Sequence, residues 1–386
     1  MESSVDRLCQ SASDATGLSD FGDDCFREPL EIFLRSGAEE GQLTDIGAAA
    51  MEGMALGNLV HRLKIVDWHT QHPEINQPIE KPIFLIGLPR TGTTALSHLL
   101  SVDPANRSLL SWEATDAVPP STADWRNDPR FIAAEQAPNM LDLINPKFKT
   151  IHFDPVDMPV ECATLLGQTF MSLHLATTFH VPSYMDALWD FENTKAYEFH
   201  KQILQVLQSG YGGQWQLKSP VHLIDPWALN EVYPDARFVL THRDPVKVVA
   251  SVCSLVETLA GTWTDADWRT YIQTTWPEVI ARLLDNQLAF RDELEKSGRG
   301  DAFIDISYSE FVANPLPQVE QMYDALGMEF STAARAAMVQ HTEVHKKDRF
   351  GSHSYGLEEW GLSDGELRER FAPYLNRYDD FLQSGK

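Results

Sequence analysis

The stretch Pro82-Ile-Phe-Leu-Ile-Gly-Leu-Pro-Arg-Thr-Gly-Thr-Thr94 constrains the fold more than any other part of this chain. An apolar, β-branched run enters a turn framed by two glycines and continues into a helical pattern, the arrangement that presents helix N-terminal N–H groups to an anion. Gly87 and Gly92 are spaced as in the nucleoside-triphosphate loop G-x-x-x-x-G-K-[ST], yet Thr93 stands where the essential lysine belongs. An ATP- or GTP-splitting site without that cation loses its hold on the terminal phosphates. Arg90 brings a positive charge earlier in the loop, so a phosphate is still expected there, while the group transferred need not be a γ-phosphoryl.

A chain of 386 residues with 43% apolar content can bury a sizeable core. Its 31 basic and 56 acidic residues leave a formal charge of −25, which repels nucleic acid and anionic membrane surfaces. An anionic ligand must therefore be held by a local cluster of N–H groups, Arg and Lys. Cys9, Cys25, Cys162 and Cys253 are scattered without metal or redox spacing, so neither zinc nor any other metal is expected, and a reduced cytoplasmic setting is. The first residues lack the basic start and apolar run of a signal peptide. The most apolar stretch, 163–181, contains Gln168, Ser172, His174 and His180, and reads as a buried or pocket-lining helix rather than a membrane span.

Residues 1–43 read as a flexible tail, loosest over the first 24, with a short helix; 44–386 form the main domain. A helix is predicted from Thr44 to His69, a first strand over 83–86 and a helix from the Gly92 turn to Leu100. Pro and Asp punctuate 104–160, which reads as an irregular connection that shapes a pocket. Helices follow over 162–170 and 195–207, and strands over 215–218, 237–241 and 303–307 each precede a turn and a helical stretch. That alternation predicts an α/β, P-loop-like three-layer domain with a central parallel sheet, helices on both faces and helical cap insertions, 114–210 being the cap and pocket region.

A second strand-turn-helix unit, Arg237-Phe-Val-Leu-Thr-His-Arg-Asp-Pro245, ends in Arg243, and Ser251 lies eight residues further on. That spacing brings both side chains to one side of a helix start, where they can make charge-assisted bonds to one oxyanion. The competing structural role for Arg243 is a pair with Asp244 or a cap on a neighbouring loop. Two anion sites at the ends of parallel strands point to a nucleotide carrying separate phosphates.

The combination resembles the sulfotransferases that use 3′-phosphoadenosine 5′-phosphosulfate, and within them the bacterial branch related to tyrosylprotein sulfotransferases. Ser111-Trp-Glu113, Trp215-Gln-Leu-Lys-Ser-Pro-Val-His-Leu223 and Ile306-Ser-Tyr-Ser-Glu-Phe-Val-Ala-Asn-Pro315 extend the likeness from about residue 44 to the C-terminus. The resemblance implies that Arg90, Thr91, Gly92, Thr93 and Thr94 hold the 5′-phosphosulfate and that Arg243 and Ser251 hold the 3′-phosphate. It places Lys218 at the oxygen bridging phosphate and sulfuryl group, and Tyr308 beside the nucleotide. Lys347 and Arg349 match the C-terminal segment that closes over the 3′-phosphate. Sulfuryl transfer needs a base for the acceptor hydroxyl. Glu113 and His222 are both candidates, the first by its place after the loop's helix, the second by its place after Lys218. The pair His341 and His345 lacks the glutamate position and third ligand of a zinc site.

The acceptor is expected to be a small molecule, lipid or carbohydrate bearing an alcohol or phenol hydroxyl. Two other functions compete: a kinase or NTPase of the P-loop type, and a nucleotide-binding protein without catalysis.

Overall fold

Five short strands carry the architecture: β1 (Ile83–Ile86), β2 (Asn106–Ser108), β3 (Gln214–Lys218), β4 (Arg237–His242) and β5 (Phe303–Ser307). They form one sheet in the order β2-β3-β1-β4-β5, and every neighbouring pair is parallel. The computed structural model describes residues 3–137, 144–145, 155–344 and 356–383. The chain divides into two units, one of residues 1–79, 109–212 and 256–268, the other of 80–108, 213–255 and 269–386.

The sheet belongs to the second unit. All four residues of β1 are buried, as befits a central parallel strand covered on both faces. Alternation sends Ile83 and Leu85 to one face, into a cluster with Leu96, Leu99, Val239, Ile306 and Met322. Phe84 takes the other face, its ring 6.5 Å from Phe238 and 5.3 Å from Tyr233; Phe238 in turn meets Phe290 of the helix Arg269–Lys296. Helices thus cover both faces, giving the three layers expected from the alternating pattern. The chain leaves β1 toward β2 and β3 on one side and later crosses to β4 and β5 on the other. Ligands of open α/β sheets bind at such a reversal, beyond the carboxyl ends of the strands.

The first unit is helical. Its longest helix, Asp45–Gln71, starts where Thr44 Oγ1 accepts a hydrogen bond from the Gly47 N–H at 3.0 Å as its N-cap. The helix Ser4–Thr16 corrects the expectation of a loose beginning: Ser3 caps it, Gly17 ends it in the left-handed region at φ 72°, and Val5, Leu8, Cys9 and Ala12 are buried along one stripe. The helix expected over 162–170 is shorter, Ala163–Gly167, and stops before Phe170, whose φ is 58°; a separate helix, Leu173–Thr178, follows. Among the described residues no helix is long and apolar enough to cross a membrane.

Three histidines of the helical unit are buried as neutral rings. Desolvation lowers His61 and His180 to about 4 and His200 to about 3, from an ordinary value of 6.5. A lowered histidine pKa means that the unfolded chain takes up the proton first, so stability declines as pH falls below 6.5 and keeps declining to the folded values. At pH 5 each ring is expected to cost about 1–2 kcal/mol. Thermal unfolding followed from pH 7 to pH 5 should show a progressive fall in Tm; a flat profile would contradict these buried neutral rings.

Candidate active site

The loop after β1 is shaped by backbone that few residues tolerate. Gly87 has φ 144°, and a Cβ there would stand 2.9 Å from Thr241 Oγ1 on β4. Gly92 has φ 88°, with the Tyr308 ring 3.0 Å from where its Cβ would be. Both positions require glycine. Between them Arg90 adopts φ 66°, a left-handed conformation unusual for a side chain of its size. Thr91 Oγ1 donates to the Leu88 carbonyl at 2.6 Å and lies 2.6 Å from Thr241 Oγ1. With the Thr91 proton so committed, Thr241 is the donor between the two hydroxyls, and the loop is stapled to β4. Thr241 escaped the sequence reading; its only signal is a hydroxyl within the apolar run Phe-Val-Leu-Thr.

The helix Thr93–Leu100 begins at Gly92, so its first-turn N–H groups face the loop without intrahelical partners. Lys218, the last residue of β3, donates from Nζ to Thr94 Oγ1 at 3.1 Å. Its register partner is Leu85, which directs it to the face on which this helix packs. The lysine absent at position 93 is thus replaced by one arriving from the adjacent strand.

Arg90 joins the other participants. Its Nε donates to Ser251 Oγ at 3.1 Å, and its carbonyl accepts from Arg243 Nη1 at 2.6 Å. The Arg243 guanidinium also lies 4.5 Å from the centroid of the Tyr308 ring, a cation–π contact. Asp244 pairs with Arg368 at 3.1 Å, and Arg243 makes no ion pair with a carboxylate among the described residues. These contacts link Lys218, Thr94, Arg90, Ser251, Arg243 and Tyr308 into one stripe beyond the ends of β1, β3 and β4. Such a stripe can hold an elongated polyanion by its length, with donors and cations alternating along it.

The two base candidates have different surroundings. His222, in the short turn Pro220–Leu223, is fully buried with its ring edge-on to Phe84 at 5.0 Å. Phe84 lies on the face of β1 opposite Leu85, the register partner of Lys218. Glu113 lies in the helical unit, on the five-residue helix Ser111–Thr115, and is also fully buried. Its carboxylate accepts the Leu110 N–H at 3.3 Å and the Ser121 hydroxyl. Trp112, beside it, packs with Trp125 and Phe131. Lys347 and Arg349 lie outside the described residues, as does His345. Among the described residues no group of three or more His, Cys, Asp or Glu side chains is placed to hold a metal ion.

The profile of the Sulfotransferase family matches residues 82–332. The crystal structure of sulfotransferase STF9 from Mycobacterium avium is similar over 98% of this chain and 97% of its own, at 30% identity and a TM-score of 0.88. That of sulfotransferase STF1 from Mycobacterium tuberculosis H37Rv covers 96% of this chain and 99% of its own, at 33% identity and a TM-score of 0.84. The omega-hydroxy-beta-dihydromenaquinone-9 sulfotransferase Stf3 of Mycobacterium bovis is 23% identical over 310 residues, 76% of this chain and 75% of the relative.

Replacing Gly92 by alanine tests the loop geometry. The positive φ and the Tyr308 contact should together cost about 1–3 kcal/mol of stability or displace Tyr308 from the loop. Thermal unfolding checks the first outcome and loss of anion binding the second; a variant unchanged in both would contradict the tight approach of loop and ring.

Proposed function

Because the chain belongs to the sulfotransferase family, we propose that it moves the sulfuryl group of 3′-phosphoadenosine 5′-phosphosulfate to the hydroxyl of an apolar, lipid-like alcohol. The observation that carries this reading is the stripe Lys218–Thr94, Arg90–Ser251 and Arg243–Arg90, which offers two guanidinium groups, one ammonium, hydroxyls and a helix N-terminus to one elongated anion. The residues present suit that donor: glycines allow close backbone approach at the loop, and Arg243 keeps its charge clear of Asp244. When bound, the donor supplies an activated sulfur joined to phosphate through one bridging oxygen.

In this reading Arg90, the N–H groups of Thr93 and Thr94 and the Thr91–Gly92 backbone hold the 5′-phosphosulfate. Arg243 and Ser251 hold the 3′-phosphate, with Tyr308 supporting Arg243 through its ring. Lys218 neutralises the charge that gathers on the bridging oxygen as the sulfur–oxygen bond to phosphate breaks. A base takes the acceptor proton as the new sulfur–oxygen bond forms, leaving adenosine 3′,5′-bisphosphate and the sulfate ester. Glu113 is assigned that role. Its burial beside Trp112 supports the assignment, whereas His222 is turned to the Phe84 face. The relative Stf3 acts on an omega-hydroxyl of a dihydromenaquinone, which supports an alcohol on an apolar acceptor here.

Calorimetric titration with adenosine 3′,5′-bisphosphate in the absence of magnesium should show binding that excess ATP does not abolish; displacement by ATP would favour a kinase instead. Arg243→Ala should weaken that binding by about 10- to 100-fold, the loss of one charge-assisted contact of about 1.5–3 kcal/mol. In assays with sulfur-labelled donor and long-chain alcohols, Lys218→Ala should lower turnover by about 100-fold or more with nucleotide affinity little changed. Glu113→Gln should do likewise, by about 100- to 10,000-fold. If His222→Asn abolished turnover while Glu113→Gln retained it, the base would be reassigned.

A further inference from the structure

His242, the residue before Arg243, is buried and held at both ring nitrogens. Nε2 lies 2.7 Å from Asp305 Oδ1, which also accepts Arg291 Nη1 at 2.6 Å; Nδ1 lies 2.8 Å from the Tyr374 hydroxyl. Burial pushes the Asp305 carboxyl up, but the hydrogen bonds from His242 and Arg291 outweigh it and hold the group below its ordinary value, as a carboxylate. A carboxylate only accepts, so Nε2 carries the proton. Desolvation keeps His242 neutral, so Nδ1 accepts from Tyr374. The imidazole also stacks on Tyr378, with centroids 4.0 Å apart and planes 26° apart, and Phe381 lies 5.2 Å away.

The residue after Arg243 is tied to the same part of the chain. Asp244 accepts the Val246 N–H at 3.0 Å through Oδ1 and Arg368 Nη2 at 3.1 Å through Oδ2. Ser307 Oγ donates to the Phe381 carbonyl at 2.8 Å, next to Tyr308. Phe381 and Leu382 join Arg243, Lys247 and Tyr308 around a cavity of about 180 Å³. Arg243 itself stands just past the last residue of β4, where the ladder no longer fixes its backbone.

We propose that the C-terminal segment 364–383 belongs to the donor-binding apparatus, with Tyr374 and Arg368 as positioning residues that fix the backbone on either side of Arg243 and so aim its guanidinium. The inference rests on Arg243 as the ligand of the 3′-phosphate. A long side chain at a strand end has many rotamers, and clamping both flanking residues lowers the entropy lost when it meets the anion.

The test is calorimetric binding of adenosine 3′,5′-bisphosphate to the full chain. Tyr374→Phe should bind about 5- to 10-fold more weakly, with KM for the donor raised in proportion and kcat within about twofold. Arg368→Ala, a surface change that spares the core, should weaken binding by about 2- to 5-fold, and Arg368→Lys should restore it. Met338→Ala removes a fully buried side chain from the opposite core; it should lower Tm without changing affinity. Tyr374→Phe with wild-type affinity, or an equal loss in Met338→Ala, overturns the inference alone. A wild-type chain that does not bind the bisphosphate overturns the donor reading with it.

Discussion

Arg90 is the residue on which the loop, the two neighbouring strand ends and the helix Pro245–Ala260 meet. Its left-handed backbone costs about 1–2 kcal/mol relative to an extended or helical conformation. That strain persists because the surroundings over-determine it: Thr91 and Thr241 close the turn, the Arg90 carbonyl accepts from Arg243, and its side chain reaches Ser251. A more relaxed backbone would turn carbonyl and side chain elsewhere and break the stripe into two unconnected pieces. A backbone held in this conformation suits a loop that grips one anion at several points.

The formal charge of −25 makes such local construction necessary. Beyond the Debye length of about 8 Å at physiological salt, salt damps the repulsion that the acidic surface exerts on an anion. Inside that distance Arg90, Arg243 and Lys218 dominate, and their mutual repulsion is relieved when an anion lies among them. Placing them at the carboxyl ends of adjacent strands also adds the first-turn N–H groups of the helix Thr93–Leu100, which cost no side-chain ordering.

Much of this was legible because the informative segments are short and continuous. The run Ile83–Ile86, the glycine turn and the Arg243–Ser251 spacing each announce a strand end followed by a helix. What escaped depends on partners far along the chain. Arg90 meets Ser251 across 161 positions, a contact that the spacing within one helix does not reveal. β2 is three residues, Asn106–Ser108, with no apolar pattern; its strand character comes from pairing with Gln214–Gln216. The first helix, by contrast, was hidden by composition rather than distance. Ser, Asp and Gly surround Val5, Leu8, Cys9 and Ala12, and the helical spacing of those four is the signal that composition obscured.

Lys218, at the end of β3, brings an ammonium to the start of the helix whose loop carries no lysine. A cation in the first turn of a helix moves with the loop it serves, whereas Lys218 is anchored to an interior strand paired with both β1 and β2. The polar edge strand gains its purpose here. Gln216 donates from its amide to Ser108 on β2 and to the Ser97 carbonyl at 3.3 Å, while Ser97 Oγ donates back to its oxygen at 3.2 Å, tying β3 to its neighbour and to the loop's helix. On the proposed mechanism the charge that needs stabilising appears at one atom, the bridging oxygen. A cation held by sheet and helix together meets that charge without reorganising, which is the condition under which electrostatic stabilisation lowers a barrier rather than merely tightening binding.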